Sequence, residues 1–79
     1  MRIDHAQLRA LAAVIREGSF ERAALALNVT ASAVSQRIKA LEERVGKLLV
    51  RRTTPTEATA EGQVLVRLAE QTALLERDA

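Results

Sequence analysis

The chain of 79 residues has no cysteine, tryptophan or tyrosine, and only one proline, one histidine and one phenylalanine. Each shortage excludes some chemistry. Without cysteine there can be no disulfide, thiolate zinc site or redox pair. The lone histidine, His5, cannot build a metal site, and its place at the start of a helical pattern makes it an exposed first-turn residue. The chain has no Gly-rich phosphate loop and no paired carboxylates in a plausible cleft, so an enzyme is not expected and no cofactor is implied. With Phe20 as the only aromatic, a core must be built from Leu, Val, Ile and Ala. No apolar run approaches the roughly 20 residues of a membrane span. The start, MRIDHAQLRAL, lacks the apolar stretch of a signal peptide. The expectation is a cytoplasmic protein with no membrane partner. The length allows one small domain of modest stability.

The formal net charge is only +2, but it is unevenly spread. Residues 1–29 carry a net +1. Residues 30–56 carry +4, from Arg37, Lys39, Arg44, Lys47, Arg51 and Arg52 against Glu42 and Glu43. Residues 57–79 carry −3. A concentrated basic zone is the electrostatic footprint of a phosphate-binding surface, although solvated charge alone would give the same count.

That zone begins with Thr30 to Gly46, TASAVSQRIKALEERVG. At about 100° per residue, Val34, Ile38, Leu41 and Val45 form one stripe. Ser32, Gln36, Lys39 and Glu43 fall opposite, with Ser35 and Arg37 on the flanks. Thr30 suits an N-cap and Gly46 a left-handed stop. The N-terminal half of the outer face is short, polar and uncharged. Side chains that both donate and accept can read base edges in a major groove, while a helix N-terminus favours phosphate. An ordinary amphipathic surface helix is the plain alternative.

Upstream, a first helix is expected from Asp4 to Glu17, with Leu8, Leu11, Ala12 and Ile15 as its buried stripe. Gly18 ends it. Ser19 caps a second helix, Phe20 to Leu27, whose apolar face is Phe20, Ala23, Ala24 and Leu27. Asn28 can take the left-handed conformation that reverses the chain, and Val29 plugs the core below. The pattern is helix, three-residue turn, helix. Downstream, Leu48 to Arg51 reads as a strand, Thr53 to Thr56 as a turn around Pro55, and Glu57 to Thr59 as a returning strand. Such a ribbon directly after a reading helix is a wing. Thr59 then caps a last helix from Ala60 to Ala79. Leu65, Leu68, Thr72 and Leu75 repeat at 3-4-3 spacing, widened by Val64 and Leu74, which suits a partner helix. A helix of that length spans roughly 30 Å, too long for so small a body to cover. The fold expected is mainly α: a three-helix core with a short two-stranded wing over 1–59, and a linker or dimerisation helix over 60–79. The periodic pattern runs to Ala79 without a stop signal, as expected of an N-terminal piece of a longer chain.

SFERAALALNVTASAVSQRIKALEERVGKLLVRR, followed by TAEG, closely resembles the N-terminal domain of LysR-type transcriptional regulators. The paired alanines of the second helix, the polar-Ala-Val-Ser turn into the third and the Ile-Lys-Ala-Leu-Glu run match in order and spacing. So do Gly46 with Leu49, and Thr59 with Glu61 and Gly62. The resemblance spans essentially the whole chain. VIREGSFERAA, SAVSQRIKALE, LLVRR and QTALLE look most like the branch that senses basic amino acids, the ArgP/LysG-like regulators. The resemblance implies a winged helix-turn-helix whose long helix pairs two protomers. It also implies an effector-sensing domain beyond residue 79, which would bind a small molecule such as a basic amino acid. Members bind interrupted palindromes in double-stranded promoter DNA as dimers or tetramers. Carried over by position, base contacts fall on Ala31, Ser32 and Gln36. Contacts to phosphates or flanking bases fall on Ser35 and Arg37, and a backbone contact falls on Thr30. Arg51 and Arg52 match the basic wing strand, and Lys39 joins them as a phosphate ligand. The dimer seam falls on Leu65, Leu68, Thr72 and Leu75. Many members have Gln-Pro or Ser-Pro where this chain has Ala31-Ser32, which implies thinner readout there. Many carry arginine at the wing tip, where this chain has Thr54 and then Glu57, which weakens the case for minor-groove insertion.

Two rivals share some of these features. A protein-interaction or dimerisation module explains the last helix but not the basic central third. A non-specific nucleoid-type binder explains the charge but makes no use of the neutral reading face.

Overall fold

Three stop signals divide the first half of the chain into three helices. The computed structural model of the protein describes residues 4–78, and side-chain surroundings as far as Gln71. Helix α1 runs His5–Glu17, α2 Phe20–Leu27 and α3 Ala31–Val45. Each starts on a side-chain cap that satisfies a first-turn N–H. Asp4 accepts from the Ala6 N–H at 2.8 Å, Ser19 from Arg22 at 3.0 Å and Thr30 from Ala33 at 3.0 Å. Each ends on a left-handed residue: Gly18, Asn28 and Gly46. All three helices thus lie where local sequence chemistry puts them.

The buried face of α1 differs from the expected one. Leu8 and Leu11 are buried as expected, but their companions are Ala10, Ala13 and Val14, while Ala12 and Ile15 are only half-buried. The cause is position in the fold. Helix α1 packs on α2, α3 and α4 together, so more than one stripe of it leaves water. Its alanines let those neighbours approach closely. Around it gather Val34, Ile38, Leu41 and Leu49, all fully buried, with Phe20, Leu27 and Val29 packed at the margin. Burying each large aliphatic side chain contributes about 1.5–3 kcal/mol.

The wing follows α3. Strands β1 (Val50–Arg51) and β2 (Glu57–Ala58) pair antiparallel, with Val50 opposite Ala58 and Arg51 opposite Glu57. Both are shorter than the sequence predicts. Beside the ladder the Thr59 N–H donates to the Leu49 carbonyl at 3.1 Å, and two further backbone groups go to side chains. The Leu49 N–H donates to the Glu42 carboxylate at 2.8 Å, and the Leu48 carbonyl accepts from the Thr59 hydroxyl at 2.7 Å. The same Thr59 hydroxyl accepts from the Gly62 N–H at 3.1 Å, capping the last helix, α4 (Ala60–Asp78). Thr59 therefore locks wing and helix together. Gly62 is required at that junction, because a Cβ there would collide with the Leu49 carbonyl.

Helix α4 lays Val66, with Leu65 and Ala69 beside it, on the shared core. Val64 and Leu68 remain 65% and 37% exposed. Leu65 thus packs at least partly on its own domain, and the outward apolar edge runs through Val64 and Leu68. The side chains of Thr72 and Leu75 lie outside the described residues.

Candidate nucleic-acid interface

Helix α3 is anchored by its apolar stripe, and that anchoring fixes what it shows to solvent. With Val34, Ile38 and Leu41 buried, Ser32, Gln36, Lys39 and Glu43 are all exposed. Ser35 and Arg37 are half-buried on the flanks. Ala31 is also half-buried and packs against the core, so little of its methyl group faces outward. Thr30 is exposed, but its hydroxyl oxygen is engaged in capping α3. The first two turns of α3 therefore offer two uncharged side chains to an incoming surface, Ser32 and Gln36. Gln36 can donate and accept at once.

The cations lie farther along. Lys39 is exposed one turn after Gln36, and Arg51 and Arg52 are exposed on the wing. Across the ladder from Arg51 stands Glu57, which offsets part of the wing's charge. The Arg52 guanidinium stacks over the Phe20 ring, 4.3 Å from its centroid. The far side of the wing is fastened to the same corner, where the Thr56 N–H donates to the Gly18 carbonyl at 2.9 Å. Gly18 suits this corner twice over. Its φ of +80° is left-handed, and a Cβ there would press to 3.1 Å from the Pro55 Cβ.

Three residues of this arrangement were not singled out from the sequence. Glu42 looks like one more surface acid in a charged run, yet it holds the start of the wing. Phe20 reads as core, yet it also carries Arg52. Thr56 reads as turn, yet its backbone docks the wing. Only Phe20 carried a signal, as the one aromatic in the chain. Among the described residues no group of three His, Cys, Asp or Glu could hold a metal ion. Nor is any helix among the described residues long and apolar enough to cross a membrane.

Two helices joined by a three-residue turn, the second presenting a polar face, and a two-stranded ribbon behind it define a winged helix-turn-helix. Residues 5–63 match the family described as "Bacterial regulatory helix-turn-helix protein, lysR family". The chain belongs to that family. It is 60% identical over 77 residues to the HTH-type transcriptional regulator LysG of Mycobacterium tuberculosis, covering 98% of this chain and 25% of that protein. Full-length LysG from Corynebacterium glutamicum, solved with bound effector Arg, superposes with a TM-score of 0.94 at 51% identity, covering 96% of this chain and 26% of the other. The BenM DNA-binding domain, solved in complex with benA site 1 DNA, superposes at 0.89 with 30% identity, covering 96% and 86%. The chain spans about a quarter of the length of the curated relatives it matches.

Proposed function

We propose that this chain is the sequence-specific DNA-binding part of a transcription regulator, and that it works without catalysis. Helix α3 enters the major groove of each half of an interrupted palindrome. Ser32 and Gln36 meet base edges there, with Ala31 contributing at most an apolar contact. Thr30, Ser35 and Arg37 hold the adjoining backbone or flanking bases, and Lys39, Arg51 and Arg52 hold phosphates. Residues 1–59 act as the reading unit and 60–79 as the linker that pairs two protomers through Leu65, Leu68, Thr72 and Leu75. The exposed Val64 adjoins that seam. The whole protein acts in the cytoplasm, at the nucleoid, and takes a basic amino acid as effector, as the Arg bound by the LysG of C. glutamicum suggests.

One observation carries this reading. A helix pinned by three buried aliphatics shows neutral, hydrogen-bonding side chains at its start and a cation just beyond, and a basic wing follows it. Phosphate contacts position a protein on DNA, while base contacts specify the site. This surface offers both in separate places. The test is a binding titration with a duplex selected by the chain from a random pool, competed with scrambled duplex. Strong binding that scrambled DNA competes poorly supports the proposal. Equal competition would make the protein a non-specific binder, and no binding to either would make it an interaction module.

A further inference from the structure

The stack of Arg52 on Phe20 joins a wing cation to the start of α2. We propose that Phe20 is a positioning residue of the DNA interface: its ring holds the Arg52 guanidinium ready for a phosphate it does not itself touch. The inference rests on the reading of Arg52 as a phosphate ligand.

The ring is a fixed platform. Phe20 is half-buried against the core and follows Ser19, whose hydroxyl caps α2 at 3.0 Å. The cation above it is otherwise loosely tethered. Arg52 lies just past a two-residue strand, on an exposed stretch running to Pro55. A long cationic side chain loses rotamer freedom when it binds, so one already held binds more tightly. A guanidinium 4.3 Å from the ring centroid lies well within the reach of a cation–π contact. The group is planar, and its N–H donors point outward in that plane. With five N–H donors, a guanidinium lying over a ring keeps donors that can grip a phosphate. Among the described residues no carboxylate forms an ion pair with Arg52. The Thr56 to Gly18 bond secures the other end of the same loop, so the whole stretch from Arg52 to Thr56 is held against the Gly18–Phe20 corner.

The plain alternative is that Phe20 only fills the edge of the core. The two roles separate in a double-mutant cycle with the full 79-residue chain. Wild type, F20L, R52A, the double variant and the rescue variants F20Y and F20W are titrated on random-sequence duplex DNA over a range of salt. All titrations are run below the onset of thermal unfolding of every variant. R52A is expected to lower the slope of log affinity against log salt by about one unit. F20L is expected to weaken binding about twofold to fivefold in the wild-type background and not at all in the R52A background. F20Y and F20W keep wild-type affinity. An equal loss from F20L with and without Arg52, or no loss in either, overturns the positioning role. R52A that changes neither affinity nor slope overturns the phosphate contact itself, and the positioning role with it.

Discussion

Helix α3 and the wing behind it are held by different kinds of interaction. The signals that shape α3 lie within residues 30–46, a cap at each end and three aliphatics on one face, and those aliphatics seat it on α1 and α2. What fixes the wing reaches across the chain. Glu42 binds the Leu49 N–H, Thr59 binds the Leu48 carbonyl, Thr56 binds Gly18, and Arg52 lies on Phe20. Helix α3 is thus a local structure placed by burial, and the wing is a short ladder tied down by side chains and by backbone bonds to distant residues. The difference shows which variants should damage folding, which should damage wing placement, and which should alter recognition alone.

The largest expected effect comes from the part the two regions share. Leu11 is fully buried in α1 beneath the common core. Leu11→Ala should destabilise the protein by about 2–5 kcal/mol in chemical denaturation. Helix and wing signals should be lost in one transition. Loss of the wing alone would mean the two do not share a core.

Next is the junction of wing and α4. Gly62→Ala places a methyl group on the Leu49 carbonyl, and overpacking of this kind costs about 1–3 kcal/mol. Full stability in this variant would show that the wing and α4 can slide apart freely. Glu42→Ala should be milder. It leaves a part-buried N–H without its acceptor, at about 1–2 kcal/mol. Its neighbour Glu43 is exposed, and Glu43→Ala should stay within about 0.5 kcal/mol. Equal effects from the two would deny Glu42 its role at the start of the wing.

The smallest effect on folding is expected at Arg51, which is exposed. Arg51→Ala should leave the denaturation midpoint in place and weaken binding to all duplexes alike. The slope of log affinity against log salt should fall by about one unit. A changed base preference would place Arg51 in a groove instead of on the backbone.

The same contrast explains what the sequence revealed and what it hid. Helix α2, from Phe20 to Leu27, and α3, with its caps at Thr30 and Gly46, were legible because capping and periodicity are short-range signals. The chain from Thr53 to Thr56 was legible as a turn because of Pro55. The face of α1 was less legible, because three other helices surround it and bury more than the one stripe its periodicity marks. The strand ends differ from the expected ones at Leu48 and Thr59: the Thr59 N–H still bonds the Leu49 carbonyl, but the Leu49 N–H and the Leu48 carbonyl are taken by the side chains of Glu42 and Thr59. No periodicity announces a carboxylate that reaches seven residues forward, as Glu42 does. Of the site, the exposure of Ser32, Gln36 and Lys39 followed from helix phase, while Arg51 and Arg52, adjacent and partly outside the strand, were marked by their charge and by the resemblance. The half-burial of Ala31 and the stacking of Arg52 did not, because both depend on residues far away in the sequence.

In the proposed function, specific recognition rests above all on Gln36. Its side chain stands opposite the buried stripe, one turn after Ser32, and is long enough to reach a base edge. Gln36→Ala should therefore be titrated beside wild type on a selected duplex and on its scrambled counterpart at one salt concentration. Base reading by Gln36 predicts a loss of about 1–3 kcal/mol on the selected duplex and much less on the scrambled one, with an unchanged salt slope. Equal losses on both duplexes would contradict it, and recognition would then have to come from DNA shape or from Ser35 and Arg37.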